Sequence, residues 1–182
     1  MTHRERLVKD LVRIKSKVVQ WLDKFFPEFF EAFKNWDGKA ALAILNEIPL
    51  PEKIVELSTD EILTVIKKGA TRGVGIKRAK KLKEAAQGSI GLTEGLEMAV
   101  IELSNLLNQY EMLTSQLELL EEKVEDLLKK VPGAKEMETI KGVGFVTVAG
   151  FIAEIGDIRN YDHPRQIVRL SGLNLVENSS GK

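Results

Sequence analysis

Residues 96–131 read LEMAVIELSNLLNQYEMLTSQLELLEEKVEDLLKKV. Leu96, Ala99, Leu103, Leu106, Tyr110, Leu113, Leu117, Leu120, Val124, Leu127 and Val131 follow one another at alternating steps of three and four. That spacing puts them on one stripe of an α-helix about five heptads long, a coiled-coil seam. At a rise of 1.5 Å per residue, the helix would span roughly 50 Å. Its flanks are acidic: from Glu94 to Asp126 nine carboxylates stand against one base, Lys123. Parallel copies of so acidic a helix would repel, so the stripe asks for an antiparallel, basic partner. The first helix, Arg4 to Lys24, has that charge, whether in the same chain or in a second copy.

Working towards the N-terminus, Leu7, Leu11, Ile14, Val18, Leu22, Phe25 and Phe29 also recur at helical spacing. Pro27 should end or kink that helix. Residues 25–36 hold five Phe and one Trp, which reads as a core plug, with a base-stacking surface as the other reading. Asp37-Gly38 marks a turn, Lys39–Asn46 a short helix, and Pro49 and Pro51 its end. Ser58-Thr59-Asp60-Glu61 supplies cap residues for a further helix.

From Lys67 to Lys83 there are eight basic residues and no acid. Gly73-Val74-Gly75 lies inside this run, between two helical patterns. A glycine turn of this kind exposes the amides of the next helix, as in a helix-hairpin-helix, where they can hold a phosphate. The candidate binding residues are Gly73, Gly75, Lys77, Arg78, Lys80, Lys81 and Lys83. A solvated basic helix after an ordinary turn is the alternative.

Beyond the long helix, Pro132-Gly133 is a stop. Gly142 and Gly144, also candidate nucleic-acid-binding residues, make a second glycine turn before the apolar run Phe145–Ile155, with Gly156 as its C-cap. His163-Pro164 starts a last helix, running to about Leu170. The fold class expected is therefore all-α: long coiled-coil helices with two helix-hairpin-helix-like motifs. Three regions are expected: a helical 1–93 with the basic hairpin, the coiled-coil helix 94–131, and the start of a C-terminal domain, 132–182.

Composition agrees. In 182 residues, 27 Lys and Arg balance 27 Asp and Glu, which excludes a uniformly basic nucleic-acid coat but not a local patch. Charged residues at 30% and aromatics at 6% suit long helices better than a β-sandwich. There is no cysteine, so disulfides and thiolate metal sites are out. His3 and His163 lie too far apart in sequence for a local metal motif. No apolar run approaches the ~20 residues of a membrane span, and the charged N-terminus is unlike a signal peptide. A soluble cytoplasmic protein is expected.

No Ser-His-Asp set or Walker loop is present, and Gly142-x-Gly144 is not a dinucleotide fingerprint. Ser179 and Ser180, beside Gly181 and Lys182, read from the pattern alone as ordinary loop serines. The run from Ile140 to Lys182, however, resembles the C-terminal transposase domain of the insertion-sequence 110 family (the 116/110/902 class). The matching pieces are Ile140-Lys-Gly-Val-Gly, Ala153-Glu-Ile-Gly-Asp-Ile, Pro164-Arg-Gln-Ile, Ser171-Gly-Leu and Ser180-Gly181. Gly73-Val-Gly-Ile-Lys-Arg-Ala and residues 90–98 resemble the family's middle region.

The resemblance implies a DNA transposase in which a serine attacks a DNA phosphodiester. Counting eight positions from Gly172 makes that serine Ser180, with Ser179 the alternative if the register slips by one. It further implies DNA as partner, a structured guide RNA in some members, and dimers or tetramers. A homodimer through the coiled coil is expected. Mg²⁺ is implied only for the family's RuvC-like N-terminal domain with its four carboxylates; no cofactor is expected in this chain. That domain does not precede the coiled coil here, and the basic segment that follows the serine in the family is absent. Leu175 stands where many members have proline. A truncated, inactive piece is therefore expected, with a mobile loop from Asn174 to Lys182. A non-catalytic nucleic-acid-binding and dimerisation module is the alternative function.

Overall fold

The computed structural model describes residues 2–69 and 75–170. Among them the chain is all-α, with ten α-helices, one short 3₁₀ turn and no strand. It divides into two compact units, residues 1–117 and 118–182, the boundary falling inside the longest helix.

In the first unit, α1 (His3–Phe25) starts on a capping box. The Glu5 amide donates to the Thr2 hydroxyl at 3.2 Å, and the Thr2 amide donates to the Glu5 carboxylate at 2.9 Å. The helix stops two residues before Pro27, and the Phe26 amide closes it on the Leu22 carbonyl. One face, Leu7 to Leu22, is buried as the periodicity predicts. Phe26, Phe29, Phe33 and Trp36 are all buried, Phe29 and Phe33 stacked with centroids 5.0 Å apart. The aromatic run is thus mainly core, with Phe25 and Phe30 half-buried against it.

Short helices surround this plug: α2 (Phe29–Ala32), α3 (Lys39–Glu47), α4 (Pro51–Glu56), α5 (Thr59–Gly69) and α6 (Ile76–Gln87). Pro51 begins α4, where its missing N–H costs nothing. Ser58 and Glu61 form a second reciprocal cap ahead of α5. α3 packs on α5, and α6 packs on α2, α4 and α5. Gly69 ends α5 so close to α3 that a Cβ there would fall on the Lys39 carbonyl.

The long helix α7 spans Leu96–Leu128, 33 residues. Its stripe from Leu96 to Leu113 packs into the first unit's core. The Trp21 indole N–H donates to the Ala99 carbonyl at 2.8 Å, and Lys15 lies over the Tyr110 ring. Numbering falls along α1 as it rises along α7, so the two run antiparallel. For this part of the seam the basic partner is α1 of the same chain. Leu107 is buried beside Leu103 and Leu106, which widens the stripe to the face of a globular-core helix.

In the second unit, the end of α7 meets α8 (Ala134–Glu138) and α9 (Phe145–Ile155) around Leu128, Ala134 and Val148. Burial passes from the expected Leu127, which is exposed, to Leu128. The reason is local: α8 follows the end of α7 at once, and its Ala134 joins Leu128 in that small core. The 3₁₀ turn Ile158–Asn160 and α10 (Pro164–Leu170) follow.

Candidate nucleic-acid interface

The basic run supplies α6. Ala79, Leu82, Ala85 and Ala86 bury one face, which turns Lys77, Arg78, Lys80 and Lys81 to solvent. Gly75 is the N-cap, in an extended conformation with no side-chain cap. Lys83 differs from its neighbours: half-buried, its ammonium donates to the Leu57 carbonyl at the end of α4. It ties α6 to α4 and points away from the candidate patch.

Gly75, Lys77, Arg78 and Lys81 line an open groove of about 760 Å³. Across it stand Lys34 and Lys39, with Glu31 the one acid in the lining. The Arg78 guanidinium sits 5.8 Å from the centre of the Phe33 ring, a cation–π contact that steadies it at the groove wall. The sequence reading missed Lys34 and Lys39, because they lie some forty residues from α6 in a stretch that read as turn and core. Their separation by a turn, Asn35 to Gly38, was the only signal available.

The second glycine turn forms the α8–α9 connection. Gly142 takes a left-handed φ of 88°, which a side chain would resist. Gly144 is the N-cap of α9, with φ −97° and ψ 169°, close to the −104° and 167° of Gly75. The two caps thus repeat one local geometry, in different units. Gly142 and Gly144 do not line the basic groove. Beyond the other end of α9, Asp157 caps the 3₁₀ turn and is gripped by Arg159 at 2.7 Å. Its hydrogen bonds with the Arg159 side chain and amide pull its pKa down to about 2.

Gly73, Ser179, Ser180 and the rest of residues 174–182, expected to form a mobile loop, lie outside the described residues. Among the described residues, no group of three or more His, Asp or Glu could hold a metal ion. No helix there is long and apolar enough to cross a membrane.

The model of the transposase IS116/IS110/IS902 family matches residues 134–182. The chain is also similar to an uncharacterised 44.8 kDa protein of insertion element IS116 from Streptomyces clavuligerus. The two are 23% identical over 180 residues, which cover 99% of this chain and 45% of that protein. The chain thus spans less than half the length of this relative. No solved structure matches. The stretch from α8 onward matches the family model and nearly the whole chain aligns with an insertion-element protein, so the chain is similar to the IS116/IS110/IS902 transposases, most specifically over residues 134–182.

Proposed function

We propose that this sequence is the helical middle and the beginning of the catalytic C-terminal part of a DNA transposase that works by serine attack. The observation that carries the reading is the family match over residues 134–182, which includes Ser180. In the proposed step the Ser180 oxygen bonds to a DNA phosphorus as a deoxyribose oxygen leaves. The serine loses its proton to a base, and a phosphoserine holds the DNA. A serine hydroxyl needs such help at neutral pH. No histidine lies within ten residues of Ser180, so the base comes from elsewhere in the complete protein. The Mg²⁺ that the resemblance implies belongs to the family's RuvC-like domain, and among the described residues no group of three or more His, Asp or Glu could hold it.

DNA is held, in this reading, by the exposed cations of α6, in a chain whose overall charge is zero. The proposed homodimer forms along α7 beside its seam with α1. Met98, Ile101 and Met112 are exposed, share one side of the helix and line open grooves between α7 and α1. Sedimentation should give twice the 20.4 kDa of one chain, and Met112→Glu should return the monomer. A parent that sediments as a monomer at micromolar concentration removes the dimer.

The serine step is tested in a full-length transposase carrying this sequence. Ser180→Ala should abolish the covalent protein–DNA adduct while DNA binding persists. An adduct that survives there but is lost in Ser179→Ala moves the role by one residue. An adduct that survives the double substitution removes the serine mechanism.

A further inference from the structure

The groove between α6 and the start of α3 has two charged walls. Lys77, Arg78 and Lys81 stand on one and Lys34 and Lys39 on the other. All five side chains are exposed, and among the described residues no carboxylate pairs with any of them. The cations nearby that do have partners are spent elsewhere. Lys15 pairs with Asp37 at 2.7 Å, Lys68 with Glu47 at 2.7 Å, and Lys83 with the Leu57 carbonyl. Asp37, the acid nearest the start of α3, is thereby held by α1. In a chain of zero net charge, five unneutralised cations around one groove with a single acid is a strong local excess.

The backbone adds to it. The groove lining includes Gly38, Lys39, Ala40 and Ala41 at the start of α3, and Gly75 and Lys77 at the start of α6. Both caps are glycine, and neither helix has a side-chain cap. The first-turn amides of Lys39, Ala40 and Ala41 therefore have no helical acceptor, and those of Ile76 and Lys77 share that state. Two helix starts, each with partial positive charge, reinforce the five side chains at one place.

The lining also says which part of an anionic polymer fits. Phe33, the one aromatic ring in the lining, is buried, so the groove offers no ring free to stack a base. Asn35 is the one neutral amide side chain in the lining. Cations and amides contact phosphates, which position a duplex without reading its sequence.

We propose that this groove is a two-walled clamp for the phosphate backbone of duplex DNA, with Lys34 and Lys39 as its second wall. The proposal rests on the reading that α6 holds DNA, and adds the opposite wall, the two helix starts and the indifference to sequence.

Fluorescence anisotropy of the whole chain with a labelled 20-base-pair duplex, over a series of salt concentrations, tests it. The parent should bind in the range of about 10⁻⁴ to 10⁻⁶ M, equally for unrelated sequences. Lys34→Gln/Lys39→Gln should weaken binding about tenfold and cut the slope of log affinity against log salt by about 2. Lys77→Gln/Lys81→Gln should do the same. Lys34→Arg/Lys39→Arg should retain binding, and so should Lys53→Gln, whose lysine lies outside the groove and pairs with Glu56. If the Lys77/Lys81 variant loses affinity and the Lys34/Lys39 variant keeps the parental affinity and slope, the clamp is wrong and the α6 reading stands. A parent that does not bind at low salt overturns both. Tenfold tighter binding to single-stranded DNA or to an RNA duplex overturns the proposed occupant.

Discussion

Trp21 fastens two long helices with one bond. Its indole N–H reaches from α1 to the Ala99 carbonyl of α7 and is buried there. A buried hydrogen bond of this kind contributes about 1 kcal/mol, and the ring adds its burial. Trp21→Phe should therefore lower unfolding stability by about 1–2 kcal/mol in urea titration, and Trp21→Ala by about 3–5 kcal/mol. Equal stability for all three proteins would contradict this role. Gly69 acts through space that is missing. Gly69→Ala puts a methyl on the Lys39 carbonyl, so the backbone must shift and the melting temperature should fall. Gly150→Ala, inside α9 with open space around its Cβ, is the comparison and should melt no lower than the parent.

Asp157 gives a pH signature on the same scale. Its folded-state pKa lies below the ordinary carboxyl value, because Arg159 holds the ionised form. The stabilisation is complete above the ordinary value and is lost as pH falls from about 4 towards 2. A carboxyl resonance assigned to Asp157 should titrate near 2 and move up towards 3.8 in Arg159→Ala. No movement in that variant would contradict the pairing.

Among elements, α7 shows how far a pattern reads. Alternating steps of three and four announced a helix over 96–131, and the helix is there, Leu96–Leu128. The reciprocal cap at Ser58 and the stop at Pro27 were equally legible, because each depends on neighbours in sequence. Burial depends on partners that periodicity does not name. The stripe from Leu96 to Leu113 is covered by α1 and the aromatic plug of the same chain, and Leu128 displaces Leu127 because α8 lies beside it. Leu103→Ala, in the fully buried part, should cost about 2–5 kcal/mol. Leu119→Ala, exposed on the same helix, should stay within about 0.5 kcal/mol. Equal losses at the two positions in denaturant unfolding would contradict this division of α7. The candidate site follows the same logic. The cations of α6 stood out as a run, whereas Lys34 and Lys39 joined them only through tertiary packing, and Lys83 left them for the Leu57 carbonyl.

For the whole molecule, zero net charge hides an uneven distribution: a basic groove in the first unit and an acidic flank along α7. Similarity to insertion-element transposases gives the groove a proposed occupant and gives Ser180 a proposed reaction. The reaction is the central claim, and the chemical identity of the protein–DNA link tests it most directly. A full-length transposase carrying this sequence is trapped on a suicide DNA substrate and digested with nuclease and protease. Mass spectrometry of the peptides then locates the attached nucleotide. The account predicts a nucleotide esterified to the Ser180 oxygen. A nucleotide on another residue, or strand exchange that proceeds with no covalent link, would contradict it.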